Sequence, residues 1–582
     1  MNVRIVRGAD ADLLLADSSF RTRWATLFAD CPWATVFQSP DFCCTWYQSY
    51  RDRFEPVLLI VDGAVGTIRG LLPLASSADQ LGLAGLWQAE YQAWISHPND
   101  ASEFITRALA EIRRAFPRAT LCFSYLPPGT PIDWIRDSAD RRLMLLRHDQ
   151  RPSLLIGEGD SIRASLAKNN NKSRIRALNK IGPVTLEHVT DAHRFEELMP
   201  TLTAWYDARR LALNGLAPFQ EDSLKQPFHL AMLRDSSAAH VTVLKAGQRP
   251  VSMQFNLCSR GAVHTCLMAH DPFFAKQSPG KLHLYYLALM LRDAGFRQID
   301  LTPGPDAYKE RFADAWDHVY ELSVHPTQAA CLSAALANRG RRIARRILRR
   351  ADVSPARAEH FAHRVKARIK SGGARAVLQS LGHWVASDRH KRIYSCSVGG
   401  EVRAQSTEAV NVDVIADLLA YVPDPVGPSA RQFMDDAINR IARGQHFYSC
   451  VQGGRLMHVA WLLPKPTHET INEIIPSSTL PEGSRLLDGW YTAHCAQSRG
   501  LLTSSLHTIV SATSNQKVGR LFLVVDSRDT AAISQIEAAG FLLERQAVEQ
   551  VRFGIRRLWR EQSIRANVPA SPEGYMMQVP NA

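Results

Sequence analysis

The chain has 582 residues, 46% hydrophobic and 21% charged, with a net charge of +13. That length exceeds a single hydrophobic core and predicts about three domains of ~100–200 residues. No apolar run approaches the ~18 residues of a membrane span, and Arg4, Arg7, Asp10, Asp12 and Asp17 interrupt the opening residues, so neither an integral membrane protein nor a signal peptide is expected. The ten cysteines are scattered, with one adjacent pair, Cys43-Cys44, and no Cys-x-x-Cys; a disulfide framework or structural zinc is not expected, and a reducing cytoplasm fits. Thirteen Lys/Arg between Arg339 and Arg375, against Asp352 and Glu359, account for +11 of the net charge. The remainder is near neutral, which disfavours a broad nucleic-acid surface, and no DNA partner is expected.

In residues 1–155 helical and strand patterns alternate. Phe37-Gln38-Ser39-Pro40 leads into a helix through Phe42, Trp46 and Tyr50; Pro56 to Val61 predicts a strand, Asp62-Gly63 a turn, and Thr67 to Leu74 a second strand. No glycine opens a helix here. From Ser153 to Gly182 the chain becomes basic: Ser161 is placed to cap a helix, and Lys168, Lys172, Arg174, Arg176 and Lys180 crowd a stretch broken by Asn169-Asn170-Asn171. These charges fit a rim meeting an anionic ligand and equally a solvated helix face. Phe195 to Leu213 predicts a helix, and Val241 to Leu244 a strand.

Residues 251–320 are the most informative. Val251 to Leu257 and Ala262 to Ala269, joined at Ser259-Arg260-Gly261, predict a β-hairpin. Pro279 then opens a helix carrying Leu282, Tyr285, Tyr286, Leu289 and Met290 at helical spacing until Gly295, followed by a strand from Gln298 to Leu301. A strand feeding a glycine at a helix start is a physical anion site, because unpaired amides and the positive helix end converge there. Ser278, Gly280 and Lys281 are the candidate binding residues, and a pyrophosphate such as that of coenzyme A suits them.

The ordered set Gln254-Phe255-Asn256, Ser278-Pro279-Gly280-Lys281, Gly295-Phe296 with Asp300, then Gly304, Tyr308-Lys309 and Trp316 resembles the CelD/BcsL-like acetyltransferases, a branch of the GNAT superfamily. The Phe-Gln-Ser-Pro segment resembles the amino-terminal half of the same family, a GNAT-like lobe without its own cofactor loop. The basic stretch after Ser161 is also similar to an element of Fem-type peptidyl transferases. The resemblance implies two tandem GNAT-like lobes, at 1–155 and 156–330.

Residues 331–390 form a basic connector. Arg341, Arg342, Arg345, Arg346, Arg349 and Arg350 share about half of a helix circumference, with Ile343, Ala344, Ile347 and Leu348 opposite. Such a helix suits an anionic membrane surface, an acidic partner, or packing on a neighbouring domain. Ser371-Gly372-Gly373 marks a joint after it. Residues 391–560 repeat the earlier logic: a hairpin from His446 to Leu463 turning at Gly453-Gly454, a strand from Leu486 to His494, Gln497-Ser498-Arg499-Gly500 before a helix from Leu501, a strand from Leu521 to Val525, and a helix from Ala531 to Ala539 ending at Gly540-Phe541. This again resembles GNAT acetyltransferases, with Gln497, Arg499 and Gly500 in the pyrophosphate loop and Asp529 opening the last helix. Leu502 stands where that family has Gly or Ala, and Ile536 where many members have a Tyr that protonates the leaving thiolate; these departures weigh against catalysis by this domain. Residues 561–582 are expected to be a flexible tail.

The expected fold is therefore α/β (α+β): two tandem GNAT-like lobes plus a third GNAT-like domain, mixed central sheets flanked by helices. The resemblance implies direct attack by an amine or hydroxyl on an acyl-CoA thioester, with acetyl-CoA as donor and a saccharide or envelope-polymer precursor as acceptor. No metal is expected. His270 and Asp271, at the end of the strand before the first loop, and His494 before the second, are candidate bases. Tyr308 and Lys309 follow a glycine bend, and the resemblance implies that this tail faces the site. A Fem-like aminoacyl transferase using charged tRNA, and a non-catalytic scaffold of degenerate domains, are the alternatives. The expected location is the cytoplasm, at the inner face of the membrane if the basic connector meets lipid.

Overall fold

The computed structural model describes residues 1–78, 80–157, 160–304, 309–350, 386–398, 409–424, 427–475, 480–497, 499–514, 518–552 and 555–563. They fall into two compact units, Met1–Pro355 and Ala356–Ala582. Among the described residues, no helix is long and apolar enough to cross a membrane.

The first unit holds two sheets. The smaller contains β1 (Arg4–Arg7), β2 (Glu55–Asp62), β3 (Ile68–Ser76), β4 (Leu81–Leu83) and β5 (Ile95–Ser96), all antiparallel, in the order β1-β2-β3-β4 with β5 also on β3. Ser39 caps the helix Pro40–Tyr50, whose Trp46 and Tyr50 are fully buried.

The larger sheet contains β6 (Leu121–Leu126), β7 (Met144–Leu155), β8 (Val184–Val189), β9 (Ala239–Ala246), β10 (Arg249–Ser259), β11 (Ala262–His270), β12 (Gln298–Asp300) and β13 (Ala315–Val324), in the order β6-β13-β7-β12-β11-β10-β9-β8. The β10–β11 hairpin forms where the alternation predicted it, with Arg260 at φ 51° and Gly261 at φ 74° turning the chain in the left-handed region that a two-residue hairpin loop needs. The helix Ala192–Asn214 is capped by Asp191, which accepts from the amides of His193 and Arg194, and is stopped by Gly215 at φ 75°. The helix Pro279–Asp293 buries Leu284, Leu287 and Leu291 against Leu154, Val263, Ile299 and Leu301.

Two local expectations change. Asp160 rather than Ser161 occupies the cap position of the helix Ser161–Ala167, and Ser161 is its first residue. The break in the basic stretch falls at Lys168 (ψ 141°), not at the asparagines: Asn169 to Asn171 begin the next helix, Asn169–Asn179, and the buried Asn171 side chain donates to the Ser165 carbonyl. In addition, β6 and β7, from the residues expected in the first lobe, are built into the larger sheet. Residue 155 is thus the end of a strand flanking β12, not a boundary between sheets.

The described residues of the second unit form one sheet: β14 (Ala386–Ser397), β15 (Asn411–Val412), β16 (His446–Gln452), β17 (Arg455–Leu463), β18 (Arg485–Thr492), β19 (Arg520–Asp526), β20 (Leu542–Arg552) and β21 (Ile555–Ser563), in the order β15-β16-β17-β18-β19-β14-β20-β21. β14 begins before residue 391, β18 ends at Thr492 rather than His494, and β21 extends to Ser563, into the expected tail. Residues 564–582 and 351–385 lie outside the described residues, so of the basic connector only its part of the helix Gln328–Arg350 and the start of β14, residues 386–390, are described.

Candidate functional site

Among the described residues of the larger sheet β11 and β12 form the one parallel pair, and they are joined over three positions, Ala262–His264 against Gln298–Asp300. Beyond them β11 continues to His270, whereas β12 stops and the chain turns through Thr302 at φ 60°. The two strands therefore part: the Thr265 hydroxyl still donates to the Asp300 carbonyl at 3.1 Å, but among the described residues no strand pairs with Cys266 to His270 on that side. An irregularity in the β10–β11 register makes Cys266 an extra residue in β11, just past the root of the parting.

A buried network fixes that root. The fully buried Asp300 carboxylate accepts from the Tyr91 hydroxyl at 2.9 and 3.0 Å, from His264 Nδ1 at 3.1 Å, from Arg151 Nη1 at 3.3 Å and from the Thr302 amide at 2.8 Å. Burial works against its charge, yet His264, Arg151 and the Thr302 amide outweigh burial and hold its pKa below the usual carboxylate value. The buried Lys309 ammonium donates to the carbonyls of Thr302 at 3.1 Å and Pro303 at 3.0 Å, pinning the turn after β12.

The other end of the parting is the start of the helix Pro279–Asp293. Ser278 takes the left-handed conformation (φ 49°) and gives no side-chain cap; Pro279 has no N–H, and the amides of Lys281 and Leu282 turn back onto the Ser278 carbonyl. The Gly280 amide is left without a partner among the described residues. A Cβ on Gly280 would lie 3.6 Å from Met268 Sδ and 3.7 Å from His270 Nδ1, so the bare glycine keeps a cradle between helix and strand. His270 Nδ1 is buried and has no hydrogen-bond partner among the described residues. Burial, then the Arg209 charge, push the His270 pKa down to about 4. Lys281 is lowered from its ordinary value by desolvation and then by the charges of Arg174, Lys168 and Arg311, so four cations converge on this helix end.

Of the residues singled out from sequence, Ser278, Gly280, Lys281 and His270 come together at this mouth. His270 is four residues up β11 from Cys266, or ~13 Å at strand spacing, so it faces the mouth rather than the root. Asp271 is taken up structurally: its buried carboxylate pairs with Arg249 at 2.9 Å and accepts from the Phe273 amide at 3.0 Å. Tyr308 lies outside the described residues. Lys168 and Arg174, equally readable as a solvated face, are neighbours of Lys281.

The second unit repeats the parting: β18 and β19 pair in parallel over Arg485–Leu487 and Leu521–Leu523, with Gly489 at φ 108° where the β17–β18 register slips. Its helix start is occupied differently. The Gln535 side-chain oxygen accepts from the Leu502 amide at 3.2 Å, its amide donates to the Gln497 carbonyl at 3.3 Å, and Leu502 is buried. Arg499 donates to Gln452 at 2.8 Å, Asp529 caps the helix Thr530–Ala538 through the Ala532 amide, and His494 is exposed in a short turn. Gly500 takes φ 70°, the conformation that needs glycine before the helix Leu501–Ser514.

Sequence reading missed Tyr91, Arg151 and His264, and also Glu90, which faces Lys309, Lys225, Asp300 and Arg210. The available signal was the polar run Gln88-Ala89-Glu90-Tyr91-Gln92 inside an otherwise apolar stretch. Among the described residues no group of three or more His, Cys, Asp or Glu is arranged to hold a metal ion.

Residues 165–310 match a family model described as Acetyltransferase (GNAT) domain. No curated protein matches the chain. Solved structures similar to it include FemX (10% identity, 52% of this chain and 95% of that chain, TM-score 0.38). Another is a tandem GNAT protein from the clavulanic acid biosynthesis pathway (12%, 56% and 99%, TM-score 0.33). A third is the C-terminal domain of a putative lysylphosphatidylglycerol synthetase from Agrobacterium fabrum (12%, 55% and 95%, TM-score 0.35). The matched segment contains the parted strands, the glycine-led helix and three of the four cations, Lys168, Arg174 and Lys281, and the fold is the GNAT fold, with mixed sheets flanked by helices.

Proposed function

We propose that the chain is an acyltransferase that moves an acetyl or longer acyl group from acyl-CoA to an amine or hydroxyl, and that the first unit carries the working site. The observation behind this reading is the uncovered Gly280 cradle at a helix start where Lys281, Arg174, Lys168 and Arg311 converge. A diphosphate fits those residues: the bare amide and positive helix end offer hydrogen bonds, the cations offset two negative charges, and the buried Nδ1 of His270 has no hydrogen-bond partner among the described residues. Bound acyl-CoA supplies an activated thioester. The chain's own part is to hold the diphosphate at Gly280 and Lys281, to lay the remainder along the unpaired edge of β11, and to present the strand amides near Cys266 to the thioester oxygen.

The acceptor class, a saccharide or envelope precursor, follows the resemblance to CelD/BcsL-like acetyltransferases, and a place at the inner face of the membrane follows the basic stretch from Arg339 to Arg375. Calorimetry of the intact protein with acetyl-CoA tests the reading. Saturable binding that weakens in Gly280→Val and Lys281→Ala supports it, and absence of binding refutes it. For the second unit one observation favours a non-catalytic role: its Leu502 amide is already capped by Gln535.

A further inference from the structure

Glu90 lies in the irregular segment between β4 and β5, and its neighbours on both sides are tied down. Gln88 accepts from Lys225 Nζ at 2.7 Å and donates to the Tyr50 hydroxyl at 2.7 Å. Tyr91 bonds Asp300 at the root of the strand parting, and the Gln92 amide donates to the Tyr125 carbonyl at 2.8 Å. The segment therefore delivers the Glu90 side chain to that root in a fixed position. There its carboxylate accepts no hydrogen bond and forms no ion pair among the described residues. Glu90, Tyr206, Arg210 and Cys266 lie deep among protein atoms yet each keeps part of its surface open, as the walls of a cleft do. An unpartnered carboxylate so placed is costly to fold and calls for a reason outside stability.

We propose that Glu90, supplied by the first sheet's segment, is the general base that takes the proton from the acceptor's amine or hydroxyl at the root of the β11–β12 parting. This rests on the acyl-transfer reading above. The nucleophile's bond to the acyl carbon forms as its proton passes to Glu90, the carbon–sulfur bond breaks, and the thiolate takes up that proton to leave as the thiol, so atoms and charge balance. The charged groups facing Glu90 are Lys309, Lys225, Arg210 and Asp300, and the titratable neutral ones are Tyr91, Tyr125, Tyr206 and Cys266. Burial raises the Glu90 pKa first, and the three cations lower it by less, which moves this carboxyl toward the range where a base works.

The test is thiol release from acetyl-CoA by the full chain, with water as the acceptor, measured against pH beside calorimetric binding of acetyl-CoA. Glu90→Gln is expected to bind acetyl-CoA within twofold of the wild type, to melt at a similar temperature, and to release thiol about 100-fold or more slowly with the acid limb of the profile gone. Glu90→Asp, which keeps the carboxylate but shortens it, is expected to retain the acid limb at a reduced rate. The proposal is overturned if Glu90→Gln keeps the wild-type rate or limb, or if wild-type protein that binds acetyl-CoA releases no thiol. Should either variant unfold, the other decides. Loss of acetyl-CoA binding by the wild type would instead remove the acyl-transfer reading.

Discussion

Replacing Gly280 by alanine separates binding from folding. The added methyl would sit 3.6 Å from Met268 Sδ and 3.7 Å from His270 Nδ1, ordinary van der Waals contacts that ask nothing of the surrounding backbone. Gly280 does not occupy the left-handed region, and alanine is the better helix former by up to ~1 kcal/mol, so the melting temperature should hold or rise. The same methyl stands between helix and strand and keeps a phosphate from the Gly280 amide. A charge-assisted hydrogen bond is worth ~1.5–3 kcal/mol, which converts to a loss of roughly 10- to 100-fold in affinity. Calorimetric titration of acetyl-CoA into both proteins, beside thermal melts, reads both quantities. Equal affinity in Gly280→Ala would refute the reasoning about the mouth, and a fall in melting temperature would refute the reasoning about the cradle.

Phosphate or sulfate should raise the melting temperature by relieving repulsion among Lys281, Arg174, Lys168 and Arg311, and a thermal-shift titration should show the effect shrinking in Lys281→Ala. Asp300→Asn leaves Arg151 and His264 facing a neutral amide in a buried site and should cost ~3–5 kcal/mol by urea denaturation. Because the Asp300 pKa is lowered on folding, its stabilisation is present above the ordinary carboxyl pKa and is lost as pH falls through the lower folded value. For His270, lowered to about 4, stability falls as pH drops from the ordinary imidazole value of ~6.5 toward about 4, by at most ~1.4 kcal/mol per pH unit. NMR titration should find its ring neutral at pH 5.5.

Local signals were legible and long-range ones were not. The hairpin of β10 and β11 and the helix start at Pro279-Gly280 are written in alternation, a turn and a proline, each within a few residues, and the structure matches them closely. The mouth was therefore visible in sequence. Its root was not, because Asp300 acquires partners 209, 149 and 36 residues away in Tyr91, Arg151 and His264, and no periodicity encodes such approaches. Glu90 escaped for the same reason: it lies in a stretch without regular structure, and its setting exists only once β12 arrives. Asp271 misled because a carboxylate at a strand end looks reactive until Arg249, on the adjoining strand, is seen to pair with it.

The insertion of β6 and β7 into the larger sheet bears on how the molecule can be assembled and cut. β7 lies between β12 and β13, and pairs such as His148 and His318 bridge 170 residues, so that sheet cannot close until β13 has left the ribosome. Until then the edges of early strands stand bare, open to a chaperone or to another copy. A fragment starting at residue 156 would lack the strand that flanks β12, so it would yield an open-edged, sticky product rather than a free-standing half.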